Sequence, residues 1–510
     1  MRHRAPAEIL LVGVIALAAC TAGVPDPNPT SSAAQDGSGL SAPTDPVALE
    51  EVAAFGGVVS LHAGADCTAT LIDTGVEEGP AYLLTTARCV GGAGRSAQET
   101  VLGQEWTGTA EFFRAAGNLG ATVTVDVAEL AYATMRDTDA AIVRLDATLG
   151  ALERLGARAV RIAGSEPRSG DAVVNVAVPT EGLEPDAIVM RRGECTLGGP
   201  YTLVESSWLW FHVWANDCPG DLEGSNGSPL LLLHDGAPGE VVAMIGTTSA
   251  GAGSADGGAC TAGRPCRLTG TGVEAVDARY AQSVAGVGRC FDVASGRFSV
   301  GGECPLPLSD VWAERGGGTF RGAGLPDAAG QLPEASFVAV AVGILQTVLV
   351  PIGDGTACAD KETYRNAMTV VVPRAGAPWE AVGVVVMPEL PETEGLFLLC
   401  AARGPGYELS AAVLFEVDRT PPLFAADATV EPLDDGVVVR PELRPPELSS
   451  VRFRWGAPES TDCDDPDTFA DSFVAPLVLD ATELPAVYCI YGLDAAGNRT
   501  PVTVIDIPAP

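Results

Sequence analysis

The chain has 510 residues, is 47% hydrophobic and carries a formal charge of −36 from 66 acidic and 30 basic residues. Such a length holds about three domains, and the apolar fraction is high enough for packed cores, which excludes wholesale disorder. The acidity argues against nucleic acid and anionic membrane surfaces as partners, because the attraction to phosphate is reversed; it reads as solubility in a salty or crowded exterior.

The N-terminus opens with Arg2, His3 and Arg4, followed by an apolar run from Ile9 to Ala19 that is too short to span a bilayer as a mature helix. The run ends Leu17-Ala18-Ala19-Cys20, which resembles the lipobox of bacterial lipoproteins. The resemblance implies a signal peptide over residues 1–20, cleavage before Cys20 and lipidation of that thiol. The chain is then exported and membrane-anchored at the cell envelope or cell surface, held by acyl chains buried in lipid. Residues 21–48 are rich in Pro, Ser, Asp and Gly and read as a disordered tether.

Thirteen cysteines minus Cys20 leave an even dozen, so disulfides are expected in an exported chain. In chain order they fall as Cys67/Cys89, Cys195/Cys218, Cys260/Cys266, Cys290/Cys304, Cys358/Cys400 and Cys463/Cys489, although spacing alone does not fix connectivity. No Cys/His cluster has zinc spacing, and no cofactor or metal is expected.

From 49 to 281, short apolar runs alternate with Gly-rich turns: 58–62, 68–72, 82–86, 140–145, 172–178, 208–214, 229–233 and 241–246. Gly 60, Pro 38 and only 6% aromatics agree with short strands and many turns, so an all-β barrel or sandwich is expected. Residues 282–306 read as a small connector closed by Cys290 and Cys304. The rest repeats itself. Thr356-Ala-Cys358-Ala-Asp-Lys-Glu-Thr-Tyr364 parallels Thr461-Asp-Cys463-Asp-Asp-Pro-Asp-Thr-Phe469, and Leu398-Leu-Cys400 parallels Val487-Tyr-Cys489. Two β-sandwich domains are expected, at 307–420 and 421–510. The second resembles bacterial immunoglobulin-like or fibronectin type III-like modules in its Asp494-Ala-Ala-Gly-Asn498 turn.

The chemistry-bearing motifs lie in 49–281. Cys67-Thr-Ala-Thr-Leu-Ile72 followed by Tyr82-Leu-Leu-Thr-Thr-Ala-Arg88-Cys89-Val90 resembles the opening of bacterial trypsin-like serine proteases. Asp137-Thr-Asp139-Ala-Ala-Ile-Val-Arg-Leu145, Gly224-Ser-Asn226-Gly-Ser-Pro229-Leu230 and Gly246-Thr-Thr-Ser249-Ala-Gly251 resemble the later landmarks of that family, in the right order. The resemblance implies two six-stranded antiparallel barrels with a cleft between them, a Cys67–Cys89 bridge, and Ser249 and Gly251 lining the groove. It also places Arg88, Asp139 and Asn226 in the slots of the catalytic His, Asp and Ser.

Two of those three slots hold the wrong chemistry. Arginine stays protonated at any usable pH and cannot shuttle a proton, and an Asn amide is no nucleophile. Loss of one triad member costs roughly 10⁴–10⁶ in turnover in related enzymes. Ser225 is the alternative nucleophile, but it sits one residue out of register with Gly227-Ser228-Pro229, and anchoring on Cys218-Pro-Gly-Asp221 instead puts Leu222 in the slot. His62, His212 and His234 read as strand or surface residues, with His212 preceding the nucleophile loop. An Arg88–Asp139 ion pair is expected to replace the His–Asp pair and to tie the two barrels together.

The sequence therefore points to a lipid-anchored pseudoprotease that binds or scaffolds an unknown protein partner through the old cleft or the C-terminal domains. The alternative is an active trypsin-like endopeptidase with an unorthodox site around Ser225 and Asp139. Calcium binding by Asp462, Asp464, Asp465 and Asp467 is a weaker third reading, since the EF-hand Gly and terminal Glu are missing.

Overall fold

The computed structural model describes residues 45–509 apart from 92–99, 181–182, 207, 220–223, 249–259, 261–262, 270–271, 277, 309–311, 315–319, 323–336, 342, 354, 373–381, 387–389, 404–408, 424, 443–447, 466–467, 473–475 and 495. Cys20, most of the tether, Leu222, Ser249, Gly251 and Asp467 lie outside the described residues.

The first barrel is built from Val58–His62, Asp66–Leu71, Pro80–Thr85, Thr109–Phe112, Val123–Thr134 and Ala140–Thr148. Their hydrogen-bonded order is Val123–Thr134, Thr109–Phe112, Val58–His62, Asp66–Leu71, Pro80–Thr85, Ala140–Thr148, and the last pairs back onto the first. Closure removes the free edges an open sheet would expose. Period-two alternation sorts the side chains: Val59 and Leu61 fill the barrel, while Val58 points to a second cluster outside it.

The second barrel runs Trp208–Asn216, Arg279–Ser283, Ala237–Thr248, Pro229–His234, Ala172–Ala177, Arg191–Glu205, and closes by pairing Arg191–Glu205 with Trp208–Asn216. All pairings within both rings are antiparallel. The two barrels share an apolar seam: Val58, Tyr82, Leu84 and Ile142 of the first meet Val174, Val176, Leu231 and Met244 of the second. This is the double barrel that the sequence motifs imply.

Two flanking segments belong to the same body. Asp45 and Pro46 pair with Arg192 and Arg191, and Val47 is completely buried, so the end of the expected tether is docked. The 282–306 segment, closed by the Cys290–Cys304 disulfide, packs Phe291 and Phe298 against Tyr82 and Phe298 against Tyr132 of the first barrel.

Two β-sandwiches follow. In the first, a three-stranded sheet (Trp312–Glu314, Phe337–Ala341, Val382–Val386) accompanies a five-stranded one. The five run Phe320–Gly322, Leu409–Val417, Gly395–Arg403, Gly343–Pro351, Met368–Val372, with the first pair parallel. In the second, Asp427–Leu433, Gly436–Glu442 and Leu477–Asp480 face Ala470–Ser472, Ser450–Gly456, Ala486–Leu493 and Thr503–Ile507. Val439 and Leu479 of one sheet and Val451, Tyr488 and Ile490 of the other share its core. The sequence repeat is a structural one: Cys358–Cys400 and Cys463–Cys489 each join the loop after one strand to the adjacent central strand, through Gly343–Pro351 and Gly395–Arg403 in one copy and Ser450–Gly456 and Ala486–Leu493 in the other.

Candidate functional site

Strand Pro80–Thr85 ends in a short 3₁₀ turn, Ala87–Val90, pinned from below by the Cys67–Cys89 disulfide. Asp139 immediately precedes strand Ala140–Thr148, which pairs with Pro80–Thr85. That register brings the carboxylate under the turn, where Asp139 Oδ1 accepts the Ala87 and Arg88 amides at 2.7 and 3.3 Å. Arg88 Nε then lies 3.1 Å from Asp139 Oδ2.

The expected ion pair thus exists, but it does not tie the barrels together. Arg88 and Asp139 both belong to the first barrel. The link to the second is Glu205, at the end of Arg191–Glu205, whose Oε1 is 2.5 Å from Arg88 Nη2. Glu205 Oε2 accepts from Thr247 Oγ1 at 2.6 Å, and Oε1 accepts the Gly263 amide at 2.8 Å. Arg88 Cζ stands 5.1 and 4.9 Å from the ring centroids of Trp208 and Trp210, two near-parallel indoles. Each contact is a cation–π attraction, strengthened where water is excluded. Glu205 carries no motif; its signal in the sequence is only a lone acid closing the apolar run Tyr201-Thr-Leu-Val-Glu205 beside Trp208 and Trp210.

One guanidinium here faces two carboxylates. Asp139 and Glu205 are both 0% exposed and Arg88 is 16% exposed. Burial pushes the Asp139 carboxyl up to about 6; Arg88 and the two amides oppose that rise, and Glu205 adds to it. A cation fixed in this way has no proton to give or take, so Arg88 cannot act as a general acid or base.

The 224–229 loop is tightly turned. Gly224 and Gly227 have φ of +91° and +80°. A Cβ on Gly227 would lie 2.1 Å from Thr85 Oγ1 and 2.3 Å from Thr68 O, so the turn is wedged against the first barrel. Thr68 holds it from both sides: its amide donates to Asn226 O at 2.9 Å, and its hydroxyl donates to Gly224 O at 2.7 Å. Asn226 is half-buried. Ser225 is 2% exposed, and its Oγ has no hydrogen-bond partner among the described residues. His212 and His234 are exposed.

One Ser–His–Asp set comes together, at the hairpin of Val58–His62 and Asp66–Leu71. Ser60 Oγ is 3.3 Å from His62 Nε2, and His62 Nδ1 is 2.6 Å from Asp66 Oδ1. Ser60 is 0% exposed, so no substrate carbonyl can reach it, and Glu111 Oε2 stands 3.8 Å from the same Nε2. In the second sandwich Asp462 Oδ1 accepts the Asp464 amide at 2.9 Å, and no group of three or more acidic, His or Cys residues is placed to hold a metal among the described residues.

Six disulfides, Cys67–Cys89, Cys195–Cys218, Cys260–Cys266, Cys290–Cys304, Cys358–Cys400 and Cys463–Cys489, point to an oxidising, extracytoplasmic setting. Among the described residues no helix is long and apolar enough to cross a membrane.

No family model matches the chain, and no curated protein matches it. Among solved structures it is similar to a thermostable serine protease, AL20, from an extremophilic microorganism, at 13% identity and a TM-score of 0.30, over 46% of this chain and 94% of that one.

Proposed function

We propose that this protein is a non-catalytic homologue of trypsin-like serine proteases, exported, lipid-anchored through Cys20, and acting as a binding or scaffolding protein at the cell envelope. The observation that carries the reading is the locked Arg88. Where a proton shuttle is required, a permanent cation is held by Asp139 and Glu205 and covered by Trp208 and Trp210. Ser225, buried and with no hydrogen-bond partner for its hydroxyl among the described residues, supports the same reading, since a hydroxyl needs an adjacent base to attack a carbonyl.

The C-terminal sandwiches supply the binding surfaces in this reading. The three- and four-stranded sheets of the second sandwich, packed about one core, support the immunoglobulin-like and fibronectin type III-like assignment. Modules of this kind serve as spacers or adhesive units.

A fluorophosphonate probe on the full chain tests the central point. No serine is expected to be labelled, and covalent labelling of Ser225 would establish an active hydrolase instead. Lipidation is tested separately: Cys20→Ser should release the protein from the membrane fraction, and retention there would refute the anchor.

A further inference from the structure

The hairpin formed by the end of Arg191–Glu205 and the start of Trp208–Asn216 has two working faces. Its register pairs Leu203 with Trp210, Val204 with Leu209 and Glu205 with Trp208. Alternation then sends Glu205, Trp208 and Trp210 to one side and Val204, Leu209 and Phe211 to the other. The first side is the Arg88 pocket already described. The second lies in one apolar cluster with the first sandwich: Val204 and Leu209 are buried with Ile352, Leu398, Cys400 and Leu414, and Phe211 and Leu268 pack at its margin.

The approach is closest at Gly355. Its φ is +88°, and a Cβ there would lie 2.9 Å from Phe211 Cε1 and 3.5 Å from Leu209 Cδ2. The tip of the hairpin is held as well. The Ser206 amide donates to Cys260 O at 2.5 Å, Cys260 is bridged to Cys266, and Cys266 pairs with Val204.

We infer that the first sandwich is a clamp: by burying the outer face of the 203–211 hairpin, it holds Glu205 and the two tryptophans down on Arg88. The inner face carries apolar contacts of its own, with Leu203, Trp208 and Trp210 in the first-barrel core, but also an ionic cost, because Glu205 is a second carboxylate brought to a single buried cation, and burial of an ion so poorly balanced is costly. Apolar burial on the opposite face, at roughly 25 cal/mol per Å², supplies the opposing term. Closure of the hairpin over Arg88 is therefore set by docking of the sandwich. This inference stands whether or not the protein binds the partner proposed above.

Hydrogen–deuterium exchange on the full-length protein tests it. Gly355→Trp forces the sandwich off Phe211 and Leu209. Phe211→Ser weakens the same contact from the barrel side, in case the first variant disturbs the sandwich itself. Amides of 203–211 should exchange at least about tenfold faster in both variants. Strand Val58–His62 should be unchanged, and Gly343–Pro351 should stay protected, which shows that the sandwich remains folded. Unchanged exchange across 203–211 in both variants would overturn the clamp. So would faster exchange confined to residues 352–358, since the sandwich would then have loosened without releasing the hairpin.

Discussion

Arg88 Nη2 lies 2.5 Å from Glu205 Oε1, so a cation on the first barrel is closed by a carboxylate on the second. The contact is the centre of a buried charge network with two near-parallel indoles around it.

Removing the cation should be severe. Arg88→Ala leaves Asp139 and Glu205 with their amide and hydroxyl donors but no cation between them, and an uncompensated buried charge costs about 3–5 kcal/mol. Glu205→Gln keeps an acceptor for Thr247 and should cost less than about 2 kcal/mol. Urea titrations of the three proteins check the order, and equal losses would show that Glu205 rather than Arg88 carries the link.

The network should leave a pH signature. Asp139 titrates at about 6 in the folded chain, above its ordinary 3.8, so between those values the folded state holds a proton that the unfolded state has lost. Its contribution is therefore most favourable below about pH 4 and falls as the pH rises through 6, by about 3 kcal/mol. Asp139→Asn should flatten that part of the stability profile, which denaturant midpoints measured from pH 4 to 7 would register.

The 224–229 loop should prove to be a packing element. Gly227→Ala adds a Cβ at positive φ against Thr85 and Thr68 and should destabilise by about 2–4 kcal/mol. Ser228→Ala removes a buried hydroxyl with no partner among the described residues and should be neutral or slightly stabilising. Thermal unfolding of the pair separates the effects; a large loss from Ser228→Ala would reveal a buried hydrogen bond.

The Cys67–Cys89 bridge should matter beyond its loop. Replacing both cysteines by Ala should cost about 3 kcal/mol for a closed segment with a sequence separation of 22. Because Cys89 adjoins Arg88, the double variant should also show faster amide exchange across 87–90, whereas a purely global effect would leave that turn no faster than its neighbours.

Several features were legible from the residues alone. Alternating apolar runs and turn glycines encode strands locally, so an all-β chain with two repeated sandwiches could be read from the pattern. The His and Ser slots could be judged because arginine and asparagine lack the required chemistry in any environment. An even dozen of cysteines implied disulfides, but their pairing in chain order was left open by spacing and is seen only in the structure. Three-dimensional placement decided the rest. Glu205 is 117 residues from Arg88, and only closure of two barrels brings its carboxylate to the guanidinium. The Ser60–His62–Asp66 contact needed the hairpin register, and its inertness needed the burial of Ser60. The sequence by itself determined that Arg88 cannot be a base. Tertiary structure decided what holds it, because a long-range ion pair depends on where two strands end in space and leaves no periodic mark on the chain.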